Sequence, residues 1–316
     1  MAEKLEGMDW LKKQIKQLEV SNSKFKDTIE ELKVIHPGVY NEFGYWTPLK
    51  LILLHYVFDV CSMIINKQPF FKKMYYVDLF AGAGINKIRE TSDFLIGSPL
   101  ITELTHGDKY DKMFFCENDD KSFLALKARM DYLRKDNLDC LYGDCNIILD
   151  KILKTLNEER NTYSFFFIDP YTMEFSWDSM KKVLGLRSDI VFTLMNREII
   201  RNIGYANRTK SKSMINELNR FFGDDSWKKI ETCDEINDLY INNIKRERKD
   251  AIVLTVKIMS SKYGFSYDVI FITNKTKGDC PWIKAIETAK KEIENHSDEA
   301  VELAMDIIKQ RQQTLA

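Results

Sequence analysis

From residue 74 to residue 273 the chain alternates short apolar runs with helical stretches, and that rhythm restricts the fold more than any other feature. The apolar runs are 74–79, 113–116, 138–142, 163–168 and 189–195. Helical stretches such as 121–134 and 147–158 separate most of them. Strand–helix alternation predicts a parallel sheet with helices on both faces. Two further runs, 251–258 and 267–273, are joined only by a turn-rich link around Lys262-Tyr263-Gly264. So short a link predicts an antiparallel hairpin. The expected fold is a Rossmann-like α/β sheet of five parallel strands ending in an antiparallel pair, unlike the all-parallel sheet of a dinucleotide dehydrogenase.

The flanking segments read differently. Met8, Leu11, Ile15, Leu18, Phe25, Ile29 and Leu32 fall on alternating spacings of three and four, interrupted near Ser21-Asn22-Ser23. That spacing predicts a helix or helix pair with a narrow apolar seam, which could pack on its own domain or on another chain as a helix-mediated oligomer. His36-Pro37-Gly38 ends it. Thr47-Pro48 starts a second helix, with threonine as the N-cap, and its wide apolar stripe suits packing on a sheet. A charged helical insert occupies about 197–249, and the tail from Pro281 reads as one or two helices with a new start at Ser297-Asp298-Glu299. The expected division is a helical extension over 1–45, a sheet domain over 46–280 and terminal helices over 281–316.

Charge is nearly balanced, with 47 Lys and Arg against 48 Asp and Glu. A chain-wide basic character is excluded, so any nucleic-acid face must be local. The insert opens with one such face: Arg197, Arg201, Arg208, Lys210 and Lys212 against Glu198 alone. None of the six cysteines forms a Cys-x-x-Cys pair and the four histidines are scattered, so no metal site is expected. No apolar run approaches the roughly 18 residues of a membrane helix, and the start MAEKLEGMDWLKKQ has no apolar signal core. The chain reads as soluble and cytoplasmic.

The chemistry gathers where strands end. The first strand runs into Asp78-Leu79-Phe80-Ala81-Gly82-Ala83-Gly84, an acid followed by a glycine turn. Ligands of open α/β sheets bind at these carboxyl ends. Lys87 stands where the third glycine of a dinucleotide fingerprint belongs, which argues against hydride transfer with NAD. An acid at Asp78 suits a ligand carrying an amine or sulfonium; S-adenosylmethionine (SAM) has both. The second strand ends in Cys116-Glu117-Asn118-Asp119, and an acid there can accept both ribose hydroxyls. Glu117 lies 35 residues beyond Gly82, and the extra length holds Ile96-Gly97-Ser98-Pro99-Leu100, a turn just before a helix. The third strand ends in Tyr142-Gly143-Asp144, where Asp144 can receive an adenine amino group or simply cap a helix. The fourth, Phe165-Phe166-Phe167-Ile168, delivers Asp169-Pro170-Tyr171 at its tip. This resembles the (Asp/Asn)-Pro-Pro-(Tyr/Phe) site of amino-methyltransferases, with one proline instead of two.

In order, DLFAGAG, GSPL, CEND, YGD, FIDPY and a terminal hairpin closely resemble the class I SAM-dependent methyltransferases. More narrowly, the chain resembles the three-Cys-motif partner protein family, TcmP, from about residue 40 to about 290. Members of that family show a Trp-Thr-x-x-Lys helix start, here Trp46-Thr47-Pro48-Leu49-Lys50, together with DLFAGxG, GSPL and an Asp-Pro-Tyr/Phe strand end. The motif order is also similar to that of the adenine-N6 methyltransferases of 23S ribosomal RNA. The resemblance implies a SAM site built from Asp78, Phe80, Gly82, Gly84, Ser98, Glu117 and Asp144. It implies a catalytic corner of Asp169, Pro170 and Tyr171, with Asp169 orienting or deprotonating the acceptor and Tyr171 stacking on a base. The family name implies a radical-SAM-type partner carrying three cysteines. The alternative is a SAM-binding partner subunit with little or no catalysis.

Overall fold

The computed structural model describes residues 9–14, 16–17, 26–44, 47–65, 70–89, 94–133, 135–275, 281–296, 298–299 and 301–303. Its main element is a seven-stranded sheet. The strands are β2 (Lys73–Asp78), β5 (Lys112–Glu117), β6 (Leu138–Tyr142), β7 (Thr162–Ile168), β8 (Ser188–Leu194), β9 (Ala251–Ser260) and β10 (Phe265–Asn274), in the spatial order β6-β5-β2-β7-β8-β10-β9. The first five run parallel; β10 pairs antiparallel with both β8 and β9. This is the Rossmann-like class I methyltransferase sheet, with the last strand of the hairpin inserted beside β8. The expected strand positions hold, with ends shifted by one or two residues.

Both faces of the sheet are covered, which explains why β7 is apolar at nearly every position. Phe165 and Phe167 face one core, while Phe166 and Ile168 face the other. The first core lies under α2 (Thr47–Ile65), α3 (Ser98–His106), α4 (Asp120–Leu133) and α10 (Pro281–Asn295). The second lies under α5 (Cys145–Leu156), α6 (Trp177–Leu184) and the insert helices α7 (Asn196–Thr209), α8 (Lys212–Phe222) and α9 (Cys233–Glu247). Each fully buried large apolar side chain contributes about 1.5–3 kcal/mol.

The amino-terminal segment differs from the expected helical extension. Residues 9–14 and 16–17 are helical, and α1 spans Lys26–Val34. A short strand, β1 (Asn41–Phe43), then joins β3 (Ile85–Ile88) and β4 (Phe94–Ile96) in a second, three-stranded sheet in the order β1-β3-β4. Strands of three or four residues are too short to show a period, so the sequence pattern misses them. Of the expected seam, Leu11 and Leu32 are buried in the first core and Ile29 packs against it. Met8, Ile15, Leu18 and Phe25 lie outside the described residues. Residues 298–299 and 301–303 are helical, and Val301 reaches the same core. Among the described residues, no helix is long and apolar enough to cross a membrane.

Two buried arginines tie distant segments together. Arg129 of α4 is 0% exposed; it donates to the carbonyls of Leu32 (3.2 Å), Ile35 (3.1 Å), Val39 (2.8 Å) and Ala83 (2.5 Å). It therefore holds the segment leading to β1 against the glycine turn after β2. Arg248, just after α9, donates to the carbonyls of Val183, Leu184, Leu186 and Ser188 and to the Ser188 hydroxyl.

Candidate cofactor and acceptor site

Because β6, β5, β2 and β7 are neighbours and parallel, their carboxyl ends fall side by side. Asp78 ends β2, Glu117 ends β5, Asp144 follows β6 and Asp169 follows β7. The four acids expected from the sequence thus share one edge of the sheet.

Asp78 is fully buried. Its Oδ1 accepts from the Phe80 N–H at 3.1 Å and its Oδ2 from the Ser98 hydroxyl at 2.6 Å. Burial pushes its carboxyl up to about 7; those two hydrogen bonds oppose the rise, and the nearby charges of Asp169 and Glu117 add to it. Ser98 opens α3, so the GSPL turn serves to deliver one hydroxyl to Asp78. Gly82 and Gly84 have φ of +61° and +79°, the left-handed region that glycine enters without strain. A Cβ on Gly82 would also stand 2.0 Å from the Asn41 side-chain nitrogen.

Glu117 is fixed by backbone groups. Its Oε2 accepts from the Gly82 N–H at 2.7 Å, and its Oε1 accepts from the N–H groups of Asn118 and Asp119 at 2.8 and 2.7 Å. Asp144 is the N-cap of α5: its Oδ1 accepts from the Asn146 backbone at 2.7 Å and from the Asn146 side chain at 2.9 Å. Asp144 thus caps a helix through its Oδ1.

Asp169 has a partner that sequence reasoning missed. Lys50 Nζ lies 2.5 Å from its Oδ2, across 119 residues, with the two side chains 11% and 17% exposed. Lys50 belongs to the Trp-Thr-x-x-Lys start of α2, to which the sequence reading gave no chemical part; Trp46 lies outside the described residues. Thr47 opens the helix as expected, but among the described residues its buried hydroxyl has no hydrogen-bond partner, so the expected capping bond is not seen there. Pro170 is buried and Tyr171 is 81% exposed, so the ring is bare beside the acid. From β10, buried Tyr267 lies close enough to Asp169 for that charge to add to the burial that raises its phenol well above the usual range.

A cleft opens between the amino-terminal strap and the sheet edge. Asn41, Phe43, Thr47 and Lys50 form its strap side; Phe80, Ser98 and Asp169 form its sheet side. Asn41 clasps the glycine turn: its Oδ1 accepts from the Ala83 N–H at 2.9 Å and its amide donates to Asn86 at 3.2 Å. Glu117 and Asp144 lie beyond the cleft, at the next two strand tips. The basic run begins where β8 ends: Arg197, Arg201 and Arg208 are exposed on α7, while Lys210 and Lys212 are exposed at and just after its end.

No family model matches the sequence, and no curated protein matches it. Among solved structures the chain is similar to protein LPL1258 of Legionella pneumophila, at 10% identity over 78% of this chain and 91% of that one, with a TM-score of 0.48. It is also similar to an O-methyltransferase from Bacillus cereus solved with SAH, at 10% identity, 82% and 100% coverage and a TM-score of 0.46. The METTL16 methyltransferase domain aligns at 14% identity over 73% and 69% of the chains, with a TM-score of 0.37. The fold is carried by the strand order itself.

Proposed function

We propose that the chain is a SAM-dependent methyltransferase that transfers methyl to an amino nitrogen, with a nucleic-acid base as the favoured acceptor. The observation that carries this reading is the row of acids at adjacent strand tips beside a glycine turn. Asp78 and the turn would hold the methionine part, Glu117 the ribose and Asp144 the adenine. Transfer from sulfonium to nitrogen is an in-line displacement, so the protein's task is positioning and exclusion of water. Asp169 would accept a hydrogen bond from the acceptor amine and direct its lone pair at the methyl group. The bare Tyr171 ring supports stacking on a flipped or unpaired base, and the exposed cations from Arg197 to Lys212 support contact with phosphates. The motif resemblance to the TcmP family supports a three-cysteine partner protein.

The test is tritiated-methyl transfer from SAM to total RNA, DNA and protein. Transfer to one pool is expected, and Asp169→Ala is expected to lower its rate about 10²–10⁴-fold, the usual contribution of a positioned acid–base group. A wild-type rate in Asp169→Ala would remove Asp169 from this role. A second reading is a SAM-binding subunit with little or no catalysis. The single proline and the Lys50 ammonium already seated on Asp169 favour it. SAM binding without transfer to any pool, together with tight association to a three-cysteine protein, would decide for it.

A further inference from the structure

The side chain of Asn146 has no part in the reading above, yet it stands between the two halves of the site. It lies in the first turn of α5, two residues after Asp144. One N–H of its amide donates to Asp144 Oδ1 at 2.9 Å and the other to the Glu174 carbonyl at 2.8 Å. Its Oδ1 accepts from the Ser176 N–H and from the Ser179 hydroxyl, each at 2.8 Å. An asparagine amide offers two donors and two acceptor sites, and here all four are used. The Glu174 carbonyl can only accept and the Ser176 N–H can only donate, so these neighbours fix which end of the amide is nitrogen. Both bonds from residue 146 to Asp144, backbone and side chain, fall on Oδ1; among the described residues Oδ2 accepts none.

Glu174 and Ser176 belong to the loop between β7 and α6, which presents Tyr171. Within it, Glu174 Oε2 accepts from the Thr172 N–H at 2.7 Å, next to that ring. The buried side chains of Met173 and Phe175 anchor the loop in the second core, and Arg220 of α8 donates to the Met173 carbonyl at 3.4 Å. A line of bonds therefore runs from the acid after β6 to the residue beside the bare tyrosine: Asp144, Asn146, Glu174, Thr172.

We propose that Asn146 is a positioning residue that couples the nucleoside end of the cofactor to the acceptor loop, so that a cofactor held by Asp144 orders the segment bearing Tyr171. This inference rests on the SAM reading. An adenine amino group donating to Asp144 Oδ2 restrains the carboxylate, the carboxylate restrains the amide, and the amide restrains Glu174 and Ser176. Hydrogen bonds in such a chain polarise and strengthen one another. The coupling is reciprocal: an acceptor that orders the loop tightens cofactor binding by the same factor.

The test is hydrogen exchange at the backbone N–H groups of Thr172 and Ser176 in the full chain, with and without saturating S-adenosylhomocysteine. In the wild-type chain the ligand is expected to slow both about fivefold or more, the lower end of the usual coupling range. Asn146→Ala is expected to speed both and to erase the difference that the ligand makes. S-adenosylhomocysteine is expected still to bind this variant, weakened by no more than about tenfold in calorimetry. Asn146→Ser, whose hydroxyl is too short to join Asp144 with Glu174, is expected to behave alike and serves where the alanine variant does not fold. Ser179→Ala removes one bond to the amide but keeps the line from Asp144 to Glu174, so the ligand is expected to slow exchange as in the wild type. A brace that only stabilised the loop would raise exchange equally with and without ligand, leaving the ratio unmoved. The proposal fails if that ratio persists in the Asn146 variants or is lost in Ser179→Ala. It fails too if the ligand binds the wild-type chain without slowing the loop, or if the Asn146 variants lose ligand binding altogether. No binding of S-adenosylhomocysteine to the wild-type chain would overturn the SAM reading itself, a separate result.

Discussion

Arg129 and Arg248 answer the same physical demand in two regions with different duties. Each is a buried guanidinium bonded to backbone carbonyls, and burial lowers both from their usual range to about 10. Arg248 braces the end of α9 against α6 and β8, elements that carry none of the strand-tip acids. Arg129 braces the amino-terminal strap against the glycine turn. The first is scaffold; the second decides whether Asn41, Thr47 and Lys50 face the sheet edge at all. Similar bonding therefore braces the candidate site in one place and only the scaffold in the other.

The comparison breaks most sharply at the arginines. Arg129→Met and Arg248→Met each strip partners from several carbonyls, and each is expected to cost about 4 kcal/mol in urea unfolding. Only Arg129→Met is expected also to weaken S-adenosylhomocysteine, by about tenfold. Equal loss of ligand affinity in both variants would erase the distinction.

A second contrast sets Asp78 against Asp268, one buried carboxyl from each region. Burial pushes Asp78 up to about 7 and Asp268 up to about 6. Asp268 also receives a bond from the Asn196 side chain at 2.7 Å. A raised folded value means that the folded chain holds a proton the unfolded chain has released. Stability is therefore lost as pH rises from about 4, the unfolded range, to the folded value, and the loss is complete above it. Asp78→Asn is expected to remove a slope of a few kcal/mol between pH 4 and 7, and Asp268→Asn a smaller one that ends near pH 6. Urea midpoints measured across that range check both. Only Asp78→Asn is expected to change ligand affinity.

The smallest effect concerns the surface. Arg201 pairs with Glu198 one turn away on the exposed face of α7. Arg201→Ala is expected to change stability by less than about 0.5 kcal/mol. If the acceptor is a nucleic acid, the same change should reduce the salt dependence of RNA retention on filters by about one charge. An unchanged salt slope would place the acceptor's phosphates elsewhere.

Much of the sheet was legible because strand alternation and apolar runs are local signals, and the acids at strand tips follow from where runs end. The strand-tip placement of Asp78, Glu117, Asp144 and Asp169 is read in this way. Lys50, Asn41 and Arg129 were not given their parts, for a common reason. Each acts on residues far along the chain: Lys50 on Asp169, Asn41 on Ala83, Arg129 on Leu32 and Val39. Contacts of that kind leave no period and no spacing to read. The Trp-Thr-x-x-Lys motif was visible as a pattern, but its lysine reads as an ordinary surface cation until the fold brings it to an acid. Thr47 misled in the opposite sense: its type and place fit a helix cap, and its hydroxyl makes no such bond.

The strap that Arg129 grips precedes in chain order most of what it holds, and this matters for synthesis. Residues 32–50 leave the ribosome early, whereas what they hold on to (Ala83, Arg129 and finally Asp169) emerges later. Until Asp169 has appeared, Lys50 has no acid opposite it. The pocket is thus closed by an earlier part of the nascent polypeptide acting on later parts, and a stall before residue 169 would release a fragment with the glycine turn and no acid opposite Lys50.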